Sequence, residues 1–318
     1  MKNFSSRSFA RAGVIALLFV TMPILAGEPT LKTAAGPVVE TTSSTESSNA
    51  FFSFSAEYSA EETYVSDAAV RRGNRAIDDF DESDTILRFI LTPRIKLGVL
   101  RLGAEWERFS FGFPDRTPLP NTLQSASLVI GLDTQFSDSI LMRFEVEPGF
   151  YGTNNLDLDQ VNAPFIAGGT YIYNPSLQFI LGVSVDVERD YPVIPAAGIR
   201  WKVNRQWVLN AVLPTPRIEF EAAKNVTLYV GANIKQTNFR VDDEFGRTHG
   251  NTRLNNGVLS YSEVRIGPGV DWKISPSITL TAEAGYQPYR EFDFYRAEVR
   301  FHEDGSAPYG MISLHGAF

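Results

Sequence analysis

The chain has 318 residues with no cysteine, a formal net charge of −8, 43% hydrophobic residues and a mean hydropathy of −0.11. A chain without thiols has no disulfides, thiol catalysis or thiolate metal sites, and an acidic balance argues against nucleic acid, whose phosphates demand a basic surface. Yet 23 Phe, 12 Tyr and 24 Gly are many for a chain with 4 Met and 3 His, and an average hydropathy conceals how they are spaced.

Residues 1–13 carry Lys2, Arg7 and Arg11 and no acid, and the apolar run VIALLFVTMPILA follows from Val14 to Ala26. This order predicts a secretory signal peptide over residues 1–26; the run is short for a membrane anchor. Cleavage near Ala26 or Gly27 leaves a more acidic chain, although Ile24 departs from the small residue usual at the third position before the cut. No Cys follows, so a lipid anchor on cysteine is excluded. Residues 27–50, through TTSSTESSNA, are Ser/Thr-rich and aperiodic and predict a flexible periplasmic leader.

From Phe51 the pattern changes. Phe52, Phe54, Ala56 and Tyr58 alternate with Ser53, Ser55, Glu57 and Ser59, the period of a strand with one apolar and one polar face. Leu100, Leu102, Ala104 and Trp106 likewise oppose Arg101, Gly103, Glu105 and Glu107, and Met142, Phe144 and Val146 oppose Arg143, Glu145 and Glu147. Helical spacing is not sustained anywhere after the signal region. Short turns fall at Leu97-Gly98, Asp138, Asn174-Pro175, Asn204-Arg205, Lys224-Asn225 and Ser275-Pro276, with longer connections at 61–84, 112–122, 152–162, 190–193, 237–258 and 290–306. Leu213-Pro214-Thr215-Pro216 reads as one very short connection, because prolines interrupt a ladder.

This rhythm predicts an all-β fold: residues 51–318 as one transmembrane antiparallel up-and-down β-barrel of about fourteen strands, with tight periplasmic turns and longer outer loops. Twelve or sixteen strands also satisfy the even-number rule. Strand starts fall near 51, 85, 99, 123, 140, 163, 177, 193, 207, 216, 226, 258, 277 and 308. No stretch after the signal region approaches the roughly 18 apolar residues of a membrane helix, but a barrel shows lipid only every second residue. Trp201, Trp207 and Trp272 near the short turns, and Trp106, Phe109, Phe150, Tyr261 and Tyr289 near the loops, predict aromatic girdles at the two interfaces.

The last ten residues, YGMISLHGAF, resemble the C-terminal assembly signal of outer-membrane barrels, with Ile312 and Leu314 alternating toward the terminal Phe318. That resemblance implies the outer membrane as location, its lipid as surroundings and the barrel-assembly machinery as partner. The segment WVLNAVLPTPRIEFEAAKNVTLYVG (Trp207 to Gly231) resembles the repeating core of an uncharacterised bacterial outer-membrane family, a domain of unknown function, over about Phe51 to Phe318. It supports the architecture and transfers no functional residue.

With apolar faces on lipid, the opposite faces place Arg88, Arg101, Glu105, Glu107, Asp133, Arg143, Glu145, Glu147, Asp186, Glu188, Arg200, Lys202, Arg217, Glu219, Glu221, Lys235, Glu263, Arg265 and Glu283 in the lumen. The turn positions set Asp133 opposite Arg143 and Arg88 opposite Glu107. Two readings follow: a water-filled, porin-like pore for ions or small solutes, or an ion-pair network that fills the lumen of a closed structural or adhesive barrel acting through its acidic outer loops. In the first of those loops Glu61, Glu62, Asp67, Asp78, Asp79, Asp81, Glu82 and Asp84 face Arg71, Arg72 and Arg75; a solvated loop explains them better than a cation site, for the Gly and closing Glu of a calcium loop are missing. An outer-membrane hydrolase is a third reading, with His249 or His302 as base and His302-Glu303-Asp304 as its local support, but no G-x-S-x-G or H-E-x-x-H motif accompanies them. His315 alternates with Leu314 and faces the lumen. No catalytic residue, metal or cofactor is predicted, and no phosphate-binding glycine loop is present.

Overall fold

The computed structural model describes residues 54–73, 75–113 and 117–318. The predicted signal peptide and leader lie outside the described residues. Fourteen antiparallel spans form one closed barrel. They are β1 (Phe54–Arg72), β2 (Arg75–Ile95), β3 (Gly98–Phe111), β4 (Thr122–Ser137), β5 (Ile140–Val146 and Gly149–Gly152), β6 (Val161–Asn162 and Phe165–Asn174) and β7 (Leu177–Val185). The ring continues through β8 (Val193–Lys202), β9 (Trp207–Val212), β10 (Arg217–Ala223), β11 (Val226–Arg240), β12 (Val258–Ser275), β13 (Ile278–Phe294) and β14 (Val299–Asp304 and Ala307–Ala317). β14 closes on β1 from Glu57↔Ala317 to Val65↔Tyr309, and again at Ala69–Arg71 against His302–Asp304.

The interruptions in β5 and β6 fall at Pro148 and Pro164, which cannot donate to a ladder. Their carbonyls still accept, from the Leu128 and Glu147 amides, both at 2.9 Å. The 213–216 connection behaves alike: Pro214 and Pro216 carbonyls accept from Ile234 (3.0 Å) and Ala232 (2.9 Å) of β11.

Two expectations need correction. The 61–84 segment is not a loop: β1 and β2 run as one hairpin to a tight turn at Gly73, whose φ is +61°. Its charges misled the reading because their partners sit on distant strands. The β2–β3 register also differs, with Arg88 opposite Glu105, not Glu107. The turn is Lys96–Leu97, and Gly98 already sits on the ladder, where a Cβ would lie 2.0 Å from the Asp133 carbonyl oxygen. Moving a hairpin centre by one residue moves every partner by two, which keeps the same face.

The wall is uneven. A spanning strand needs about 9–11 residues, and β1 and β2 have 19 and 21 while β9 and β10 have 6 and 7. The surplus of β1–β4 and β11–β14 makes the wall taller on that side. Outward positions carry exposed apolar side chains, such as Leu87, Phe89, Leu128, Leu181 and Val230. Trp201, Trp207 and Trp272 are exposed beside the short turns. Phe109 and Tyr261, expected at the outer girdle, are instead fully buried inside, because each continues the inward parity of its strand, after Glu105 and Glu107 or before Glu263 and Arg265.

Candidate functional site

Period-2 alternation turns one side chain in two toward the interior, which has three levels. At the long-loop end Phe80, Phe109, Phe111, Phe113, Tyr261 and Phe292 pack ring against ring, with centroids 4.2 to 6.2 Å apart. Leu119 from the 112–121 connection and Phe245 and Leu254 from 241–257 join this cluster. The connections thus fold over the barrel mouth, and apolar burial holds them there. The loop after β7 is tied to the same end: Asp186 accepts from Asn162 (2.9 Å) and Asn238 (2.5 Å), and Glu188 meets Arg240 (2.5 Å) and Arg296 (3.0 Å). In this loop Arg189 is buried 3.9 Å from Asp186; burial pulls its pKa down, with Asp186 opposing.

Beneath the aromatics lies a layer of ion pairs that crosses the lumen. Arg290 donates to Glu82 (2.6 Å) and lies 3.2 Å from Glu303. Tyr261 donates to Glu82 (2.8 Å) and Glu263 (3.0 Å). Arg265 donates to Glu263 (2.7 Å), Asp84 (3.3 Å) and Thr63 (2.6 Å), and Lys235 to Asp84 (2.7 Å) and Glu107 (2.8 Å). On another part of the wall Arg88 meets Glu105 (2.9 Å), Glu145 (2.8 Å) and Glu147 (3.6 Å). Arg101 meets Glu145 (3.2 Å), Glu57 (3.5 Å) and Asp133 (4.0 Å), and Arg143 grips Asp133 at 2.6 and 2.7 Å. Buried charges persist only when paired and hydrogen-bonded.

The third level is a chamber of about 260 Å³, reaching from Glu61 and Asn233 down to Lys273, Thr279 and His315 near the short turns. Both charge signs line it. Arg217 meets Glu219 (2.9 Å) and Asp271 (3.6 Å) and lies 4.9 Å over the Tyr229 ring. Tyr229 donates to Glu283 (2.7 Å), which also accepts from Tyr309. Gly269 makes room for Tyr229, since a Cβ there would lie 2.3 Å from its ring.

Thus Arg88, Arg101, Arg200, Arg217 and Glu219 border the chamber; Glu107, Glu263 and Arg265 form its ionic roof; Asp186 and Glu188 tie down a loop instead. Glu221 lies on β10 beside Thr227 of β11, near the short-turn end. Glu82, Asp84, Arg290 and Glu303 were missed as interior groups because their segments read as loops; the inward parity of Arg88 extended toward Asp84 and Glu82 was the available signal. His302 and Glu303 are neighbours on a strand and so point to opposite faces, while His249 Nδ1 lies 2.7 Å from the Phe245 carbonyl. Among the described residues neither histidine makes a hydrogen bond or ion pair to a carboxylate. Among the described residues no group of three or more His, Asp or Glu is arranged to hold a metal ion.

At the C-terminus Ile312 faces outward, the Phe318 backbone bonds reciprocally with Ala56 (2.8 and 2.9 Å), and its ring stacks 5.8 Å from Tyr58.

Among solved structures, the chain is similar to the COG4313 outer membrane channel from Pseudomonas putida F1, at 7% identity over 83% of this chain and 95% of that one, with a TM-score of 0.45. The Pseudomonas putida toluene transporter TodX is similar at 10% identity over 82% and 89%, TM-score 0.44, and a Pseudomonas aeruginosa FadL homologue at 11% over 84% and 89%, TM-score 0.32. No curated protein matches the sequence. A family model described as a domain of unknown function, DUF6268, matches residues 47–306, and the chain belongs to that family.

Proposed function

We propose that this protein is an outer-membrane transport barrel for small solutes, shut at its outer mouth in the conformation described. The observation that carries this reading is the chamber of about 260 Å³ inside the barrel, lined by charges of both signs. Large barrels use such linings to bias ions and small solutes. The short-turn end would face the periplasm and the aromatic cluster the exterior.

A closed structural barrel is the second reading, favoured by the aromatic cluster and the ion-pair layer above the chamber. Planar-bilayer recordings separate the two. For a transport barrel, heat-modifiable folded protein conducts in brief openings, and a Phe109→Ala/Phe111→Ala variant conducts more often. No conductance from either protein, both still folded, overturns the transport reading.

A further inference from the structure

We propose that the chamber binds a small organic carboxylate, anchored by the Arg200 guanidinium. This deepens the transport reading, since it assigns a solute class to the same chamber.

Arg200 stands apart from the other interior arginines. Arg88, Arg101, Arg143, Arg217, Arg265 and Arg290 each lie within 4.0 Å of at least one carboxylate. Arg200 lines the chamber and, among the described residues, makes no ion pair or hydrogen bond. An arginine kept half-buried and unpaired is a ready donor fork for a planar anion. On its rung Asn210 of β9 is directly opposite, also lines the chamber, and offers an amide with two further donors.

The neighbouring groups select among anions. One step toward the barrel centre, Ile180 and Val212 flank Gly198 on a single rung, and both are buried against the chamber. A ligand with its charge on Arg200 therefore meets an apolar shelf with the rest of its body, which suits a short aliphatic or aromatic acid and not inorganic phosphate or sulfate. On the opposite wall Lys273, next to Thr279 and His315 on one rung, is a second cation without an ion pair among the described residues. Lining carboxylates Glu57, Glu219, Asp271 and Glu283 are engaged by Arg101, Arg217, Tyr229 or Tyr309; Glu61 alone among the described ones is not. The two lining cations without a carboxylate partner among the described residues, Arg200 and Lys273, thus both lie toward the short-turn mouth.

The test uses the folded barrel in detergent micelles, titrated with sodium butyrate, sodium phosphate or sodium chloride at matched ionic strength and followed by calorimetry. Saturable butyrate binding, at least about tenfold weaker in Arg200→Gln as for loss of a charge-assisted hydrogen-bond pair, is the expected result, with Arg200→Lys between the two. Heat-modifiability checks that each variant is folded. Equal butyrate binding by wild type and Arg200→Gln, or phosphate or chloride binding as tightly as butyrate, overturns the assignment. Conductance is recorded in parallel: butyrate binding in a barrel that never conducts leaves the carboxylate site standing and removes the transport reading, whereas conduction without Arg200-dependent binding does the reverse.

Discussion

Arg290 holds its guanidinium 4.1 Å over the Phe80 ring while donating to Glu82 at 2.6 Å. Those two contacts mark the boundary between the aromatic closure and the ion-pair layer, because one planar cation serves a ring face on one side and a carboxylate on the other. Lys235 makes the same kind of boundary contact, 4.9 Å from the Phe109 ring and 2.7 Å from Asp84.

Removing one partner from such a pair leaves the other charge buried. Glu82→Ala takes from the buried Arg290 its closer carboxylate, leaving only Glu303 at 3.2 Å, and removes one acceptor of Tyr261, so it should lower stability by about 3 kcal/mol. Urea unfolding from lipid vesicles, read by the loss of heat-modifiable migration, measures it; a cost under about 1 kcal/mol, typical of a solvated pair, would contradict the buried network.

Arg88 serves three carboxylates, Glu105, Glu145 and Glu147. Arg88→Ala and Glu145→Gln should therefore combine non-additively, the double variant recovering about 1–3 kcal/mol relative to the sum of the singles. Additive costs would show that the three carboxylates are handled separately.

Phe109→Ala opens a cavity among Phe111, Phe239 and Tyr261. It should cost about 3–5 kcal/mol, as for buried aromatic truncation. If the cluster also shuts the mouth, the same variant raises the open time in bilayer recordings; lowered stability with unchanged open time assigns the cluster to stability alone.

Leu128 is 57% exposed on the outward face. In a membrane-spanning wall Leu128→Arg should destabilise by about 2–4 kcal/mol in vesicles, whereas a water-facing wall would tolerate it within about 0.5 kcal/mol.

The terminal ring should matter to assembly more than to the final fold. Phe318→Ala keeps the backbone bonds with Ala56 and loses the Tyr58 stack, a contact of about 0.5–1.5 kcal/mol beyond its area. Expressed in cells, the variant is expected to show slowed insertion with a near-normal unfolding midpoint once folded; normal insertion kinetics would argue against the assembly-signal reading.

Much of the architecture was legible from residues 51–318 alone. Strict alternation in Leu100–Glu107 and Met142–Glu147 assigns strand faces with no knowledge of neighbours, and turn residues at Asp138, Pro175, Asn225 and Pro276 set hairpins, because both are local properties of a pleated chain. The hairpin alone places Arg143 against Asp133. What only the tertiary structure decided is which inward groups meet across the closed wall. Lys235 finds Asp84 at a separation of 151 residues, Arg265 finds Thr63 at 202 and Arg290 finds Glu82 at 208. Period 2 states that a side chain points inward; closure, strand height and the folding-in of Phe113, Leu119 and residues 241–257 determine the level at which it arrives and what it faces. That is why Glu82 and Asp84 read locally as a solvated acidic loop and stand in the structure as the anchors of the ionic layer, and why Arg200, one inward arginine among many in sequence, is distinguished only by the carboxylates that the closed barrel does not bring to it.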